Sequence, residues 1–252
     1  MNILVSGNLI NYEDEGTGQV ILLLHGWGAS LQSFDALTRT LSKSNRVVRL
    51  DFPGFGGSPQ PSNDWDIGDY ADLVVSFLKK KGINKLHAAI VHSFGGRVII
   101  KAVGQGLLDP ERIVLIGSGG IKHPVSPRQQ VYKLIAKTGK YITKLPVLSR
   151  MRGKLRSKLY NSAGVTDYLQ SGGMRPIFLN VIAEDLRDLA ANIKQPTLLI
   201  WGKDDHETPV TDGEILHERI KSSKLVVIPN AGHFTYLDQP EKVQKEIEDF
   251  LL

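Results

Sequence analysis

Three short clusters hold the residue types that nucleophilic catalysis needs. The first is Ala88-Ala89-Ile90-Val91-His92-Ser93-Phe94-Gly95-Gly96-Arg97, an apolar run that stops at a His-Ser pair and is followed by two glycines. Val98, Ile99, Ile100, Ala102 and Val103 then recur at helical spacing, so the segment reads as a buried strand turning sharply into a helix. That turn sets the Ser93 hydroxyl at a helix N-terminus, where free backbone N–H groups meet a developing negative charge. Gly95 and Gly96 leave room for a tight bend. Taken alone, the segment reads equally well as a small-residue turn opening an ordinary helix.

A serine hydroxyl attacks poorly at neutral pH until a base takes its proton, and the base needs an acid to fix its tautomer. The second and third clusters offer both. Trp201-Gly202-Lys203-Asp204-Asp205-His206-Glu207-Thr208-Pro209 follows an apolar strand, with Asp204 and Asp205 as candidate acids. Ala231-Gly232-His233-Phe234 follows the last strand, with His233 as candidate base.

The elements that must position these groups alternate. Strands are expected at 3–5, 8–13, 20–24, 46–51, 86–91, 113–116, 197–201 and 225–228. Helices are expected after the third strand (Phe34, Leu37, Leu41 on one side), over 67–81, after Ser93, and over 243–252. That rhythm predicts an α/β protein with a mostly parallel, doubly wound sheet of about eight strands. His25-Gly26, Asp51, Ser93, Asp205 and His233 all fall at strand C-terminal ends, where such sheets collect their chemistry.

With these clusters in place, the chain resembles the α/β-hydrolase fold superfamily over nearly its whole length. Members carry Gly-x-x-Asp-x-x-x-Pro after the acid-bearing strand; here Gly202, Asp205 and Pro209 fit, which selects Asp205 over Asp204. They carry Gly-His-Phe and a downstream Pro-Glu, matched by Gly232-His233-Phe234 and Pro240-Glu241. The family order of serine, acid and histidine is met by Ser93, Asp205 and His233. The resemblance further implies an oxyanion hole from the backbone N–H groups of Trp27, in His25-Gly26-Trp27-Gly28, and of Phe94. Asp51-Phe52-Pro53-Gly54-Phe55-Gly56 matches a structural loop. One residue departs from Gly-x-Ser-x-Gly, the family's nucleophile-elbow pattern for the turn that carries the serine: Val91 stands at its first position, where a β-branched side chain is expected to push strand and helix slightly apart. His87, His123 and His217 read as hydrogen-bonded loop histidines, His206 as a surface residue, and His92 as support for the elbow.

Between about 120 and 191 the strand–helix rhythm breaks, where the family often inserts a lid. The expected division is therefore a hydrolase core of 1–119 and 192–252 and a helical cap of 120–191, inserted after the sixth strand. Val131, Leu134, Ile135, Thr138, Tyr141, Ile142 and Leu145 fall on one face of a helix and Lys133, Lys137, Lys140 and Lys144 on the other. Leu148, Met151, Leu155 and Leu159 continue an apolar stripe, and a further helix is expected from Pro176 with Ile177, Phe178, Val181 and Ile182. The net charge of +5 is local: residues 122–165 hold eleven Lys or Arg and no Asp or Glu, so 20 basic residues face 26 acidic ones elsewhere. A solvated face is the expected role of this stripe, with weak association to anionic lipid or anionic substrate as the sharper readings.

The 252 residues include no cysteine, which excludes disulfides, thiolate metal sites and a thiol nucleophile. No bilayer-length apolar run and no leader-like start are seen, which fits a cytoplasmic protein. No recognition motif for nucleic acid is present. The resemblance implies a serine hydrolase acting on small or medium carboxylic esters through an acyl-enzyme, a carboxylesterase without metal or organic cofactor. The same triad in this family also serves carbon–carbon bond hydrolysis of the meta-cleavage-product type and acyl transfer. A reading of another class is a ligand-binding signalling protein with little turnover.

Overall fold

The computed structural model describes residues 1–62, 64–122 and 172–252. β1 (Asn2–Val5) and β2 (Asn8–Glu15) form the expected antiparallel hairpin. Its turn residues Ser6 and Gly7 both have positive φ, the geometry whose twist suits the adjoining strands. β2 also pairs antiparallel with β4 (Asn45–Leu50), and every later pairing is parallel. β3 (Gln19–Leu24), β5 (Ala88–His92), β6 (Arg112–Ile116), β7 (Thr197–Gly202) and β8 (Ser223–Ile228) complete an eight-stranded sheet of order β1-β2-β4-β3-β5-β6-β7-β8.

The helices among the described residues are α1 (Asp35–Leu41), α2 (Ile67–Lys80), α3 (Phe94–Gly104), α4 (Arg175–Ala183), α5 (Arg187–Ala190), α6 (Val210–Arg219), α7 (Thr235–Asp238) and α8 (Pro240–Leu251). Central strands read as unbroken apolar runs because both sheet faces are covered. Ala89 and Val91 point into one core with residues of α2, α3 and α6; Ala88 and Ile90 point into the other with α1 and α8. A capping box at Asp66 and Asp69 starts α2, worth about 1 kcal/mol.

Helix α6 has no counterpart in the sequence reading. Its weak apolar stripe is interrupted by Gly213, and a Cβ there would sit 2.9 Å from the Trp201 ring. The glycine that lets α6 close on Trp201 is the residue that hides the helix. The α4 helix does lie where Pro176 predicted one, with Ile177 and Val181 buried in the core. The two lid helices expected across Val131–Leu145 and Leu148–Leu159, and His123, lie outside the described residues.

The segments on either side of those residues meet at one place. Leu186 N donates to Gly120 O (2.8 Å), Lys122 Nζ to Ala183 O (2.6 Å) and Arg187 Nη2 to Lys122 O (3.1 Å). From α3, Arg97 donates to Glu184 O while Lys101 pairs with the Glu184 carboxylate at 2.7 Å. The helix that follows Ser93 therefore anchors the returning chain.

Candidate active site

Strand β5 ends at His92 and α3 begins at Phe94, so Ser93 alone makes the turn, with φ 48° and ψ −106°. Such a backbone costs about 1–3 kcal/mol in a non-glycine residue and persists only when its surroundings enforce it. Ser93 N donates to Ile116 O, and Ser93 O accepts from Gly96 N and Gly119 N, each at 3.0 Å. The first turn of α3 is held close: a Cβ on Gly95 would lie 2.4 Å from Leu24 O, and one on Gly96 1.9 Å from Ser118 Oγ. Val91 is fully buried, and with it in place the first turn of α3 closes on Leu24 and Ser118 from the neighbouring strand ends.

The loop after β3 is locked against the elbow by His25. Phe52 N donates to His25 Nε2 (3.0 Å), which fixes the ring proton on Nδ1, and Nδ1 donates to Gly26 O (2.7 Å). Burial pushes this imidazole down to about 4, against the Gly26 hydrogen bond and the Asp51 charge, so the tautomer holds at neutral pH. His25 O accepts from Gly95 N (3.1 Å), and a Cβ on Gly26 would come within 3.3 Å of Ser93 Cβ. Trp27 and Phe94 thus sit on two segments tied to each other beside Ser93, their rings 5.3 Å apart. Phe55 and Phe178 add to this aromatic wall at 4.8 and 5.1 Å from Trp27. Asp51 organises the neighbouring loop, accepting from Leu31 N, Gly57 N and Asn11 Nδ2 at 2.7 Å each.

Beyond β7, Asp205 Oδ2 accepts from His233 Nδ1 at 2.9 Å, whereas Asp204 is exposed. The other carboxylate oxygen accepts from Glu207 N (2.9 Å) and Thr208 N (3.0 Å). Burial alone would raise the Asp205 carboxyl, but the His233 hydrogen bond and charge and the two amides outweigh it and hold it below the usual range. Two residues that the sequence reading gave no part in the site join here. Thr208 Oγ1 lies 2.9 Å from Asp205 Oδ2, 3.0 Å from Gly117 O and 3.2 Å from His233 Nδ1. Glu207 Oε2 lies 3.6 Å from His233 Nε2. Both stand inside the Trp201–Pro209 cluster, but an aspartate motif gives no signal for them.

His92 reaches the candidate base His233 as well as standing next to Ser93. Its Nε2 donates to His233 O (3.0 Å), and the two rings lie 4.7 Å apart. The structure therefore brings Asp205 and His233 into contact and sets His233 against the residue preceding Ser93. His87, in the loop before β5, is hydrogen-bonded to Glu111 and His206 is exposed, as expected; His217 is hydrogen-bonded to Ser223 but lies on helix α6 rather than in a loop.

Burial, with the nearby His233, pushes His92 down to about 3. His25 and His92 thus stay neutral in the folded protein while unfolded histidine protonates near pH 6.5. Their linkage removes stability as pH falls from about 6.5 toward 4, above the range in which Asp205 protonates. The urea midpoint should decline across that interval. A midpoint flat there would mean that both rings titrate as exposed imidazoles.

The profile of the alpha/beta hydrolase family matches residues 21–246. Monoacylglycerol lipase abhd6-A of Xenopus laevis is 24% identical over 94% of this chain and 76% of its own. Among solved structures, an esterase from Exiguobacterium antarcticum matches with TM-score 0.77 and 24% identity, over 99% of this chain and 98% of its own. A meta-cleavage product hydrolase from Pseudomonas fluorescens IP01 matches with TM-score 0.74 and 24% identity, over 99% and 96%. At that identity the solved structures establish the fold. No helix among the described residues is long and apolar enough to cross a membrane.

Proposed function

The chain belongs to the alpha/beta hydrolase family, and from that membership we propose a serine hydrolase of small or medium carboxylic esters. The observation that carries the reading is the Asp205–His233 hydrogen bond beside a strained serine turn. Ser93 Oγ attacks the ester carbonyl carbon as His233 Nε2 takes its proton. The carbonyl oxygen becomes an oxyanion, met by the N–H groups of Trp27 and Phe94; one such donor is worth about 10²–10³ in rate. Collapse breaks the carbon–oxygen bond of the alcohol, to which His233 returns the proton. Water, deprotonated by His233, attacks the acyl carbon and releases acid and free Ser93. Asp205 holds the imidazole with its proton on Nδ1 and stabilises the imidazolium. The aromatic wall of Trp27, Phe55, Phe94 and Phe178 is the apolar surface offered to the acyl chain. The monoacylglycerol lipase relative supports a neutral ester as substrate. In this reading residues 120–191 form a cap over the site, and its basic stripe is a solvated face.

A fluorophosphonate probe and p-nitrophenyl esters from acetyl to decanoyl, with 1-monoacylglycerols beside them, test the proposal. The probe should mass-label the peptide bearing Ser93, and esters should turn over many times per site with an optimum at short or medium acyl chains. Labelling without ester turnover would overturn the esterase reading in favour of carbon–carbon cleavage, acyl transfer or ligand sensing.

A further inference from the structure

The Nε2 side of His233 faces a carboxylate. Glu207 Oε2 lies 3.6 Å from it, on the side where the base must reach Ser93 and later protonate the departing alcohol. The position is built in: Glu207 N donates to Asp205 Oδ1, in the same turn in which Thr208 N binds that oxygen, so the backbone of residue 207 is fixed by the acid that orients the base. Among the described residues Glu207 pairs with His233. His233 is thus flanked by Asp205 on Nδ1 and Glu207 on Nε2, with the neutral ring of His92 packed against it. The Glu207 side chain is 51% exposed, so it stands at the rim and meets what enters.

We propose that Glu207 is a specificity-determining residue that filters the alcohol part of the substrate by charge. It favours cationic and neutral leaving groups and disfavours anionic ones. This rests on the serine hydrolase reading above, since the departing group must pass His233 Nε2. An anion on the alcohol would place another negative charge beside Asp205 and Glu207, while a cation would take the carboxylate as partner. At roughly 6 Å and in a half-exposed setting, the interaction is worth about fivefold in rate after discounting for solvent.

Three thioesters sharing one acetyl group read this directly: acetylthiocholine, its neutral isostere 3,3-dimethylbutyl thioacetate, and S-acetyl-3-mercaptopropionate. Each releases a thiol that can be followed by colour. In the wild type, kcat/KM for the cation should exceed that for the neutral ester about fivefold, and the anion should fall below it by a similar factor. In Glu207→Gln both ratios should approach one. Raising salt from about 0.02 to about 0.5 M should shrink the ratios in the wild type and leave them flat in the variant. Ratios that are equal in the two proteins would overturn the proposal. Phosphonothioates with the same three leaving groups give the same ratios from Ser93 inactivation rates and require no deacylation. If no thioester turns over but inactivation shows the charge preference, the esterase reading fails and the filter stands. If inactivation rates carry no charge preference, the filter fails whatever the esters do.

Discussion

Ser93→Ala is expected to lower kcat on any ester the protein hydrolyses by about 10⁶, because base, acid and oxyanion donors have nothing to activate once the nucleophile is gone. Steady-state release of p-nitrophenol, with enzyme at high concentration for the variant, measures the loss. The fold should be indifferent to it. Alanine keeps a Cβ at φ 48°, so it inherits the strained turn, and its free energy of unfolding should match the wild type within about 0.5 kcal/mol. Ser93→Gly separates strain from chemistry: it too should be inactive. It should nevertheless be more stable by about 1 kcal/mol, as relief of a backbone strain of about 1–3 kcal/mol exceeds the entropy that glycine adds to the unfolded chain. Multiple turnovers surviving in either variant would mean that hydrolysis proceeds without Ser93. Equal stability of the glycine and alanine variants would mean that the elbow stores no strain.

The strands were legible because fully buried parallel strands leave unbroken apolar runs, as in Ile21–Leu24 and Leu198–Trp201, each ended by polar or glycine residues. Boundaries were less so. β5 begins at Ala88 rather than Leu86 and runs on through His92, because strand pairing with Ile116 does not depend on residue polarity. α8 begins at Pro240, where proline suits a first helical turn, three residues before the apolar stripe that marks it. α6 was missed because its helical glycine serves Trp201 rather than helix propensity.

The three clusters of the candidate site were legible as positions because each stands at a strand end, and the chain order of Ser93, Asp205 and His233 is itself a signal. What escaped was everything decided by contact across the sheet. His92 reaches from β5 to the carbonyl of His233, 141 residues away, and no spacing rule connects the two. Thr208 and Glu207 follow Asp205 by three and two residues, yet their part depends on the turn that Asp205 Oδ1 folds around itself. Those contacts also set what a replacement of Asp205 is expected to do.

Asp205→Asn should lower kcat by about 10⁴ with little change in KM. Every polar group around the carboxylate is a donor or can be one: Glu207 N and Thr208 N on Oδ1, His233 Nδ1 and Thr208 Oγ1 on Oδ2. An asparagine cannot turn its NH₂ toward the two amides, so its oxygen must take the Oδ1 place and its NH₂ must face His233. Thr208 can redirect its hydroxyl to Gly117 O, 3.0 Å away, but His233 has one way to accommodate a donor. Its Nδ1 becomes the acceptor and the proton moves to Nε2, the atom that must receive the proton of Ser93. The variant therefore keeps its geometry and loses its base. Glu207 does not substitute, because it lies on the Nε2 side and cannot hold a proton on Nδ1. Asp204→Asn, altering an exposed neighbour, should stay within about twofold of the wild type. A loss below tenfold in Asp205→Asn, or a large loss in Asp204→Asn, would reassign the acid and with it the orientation of the base.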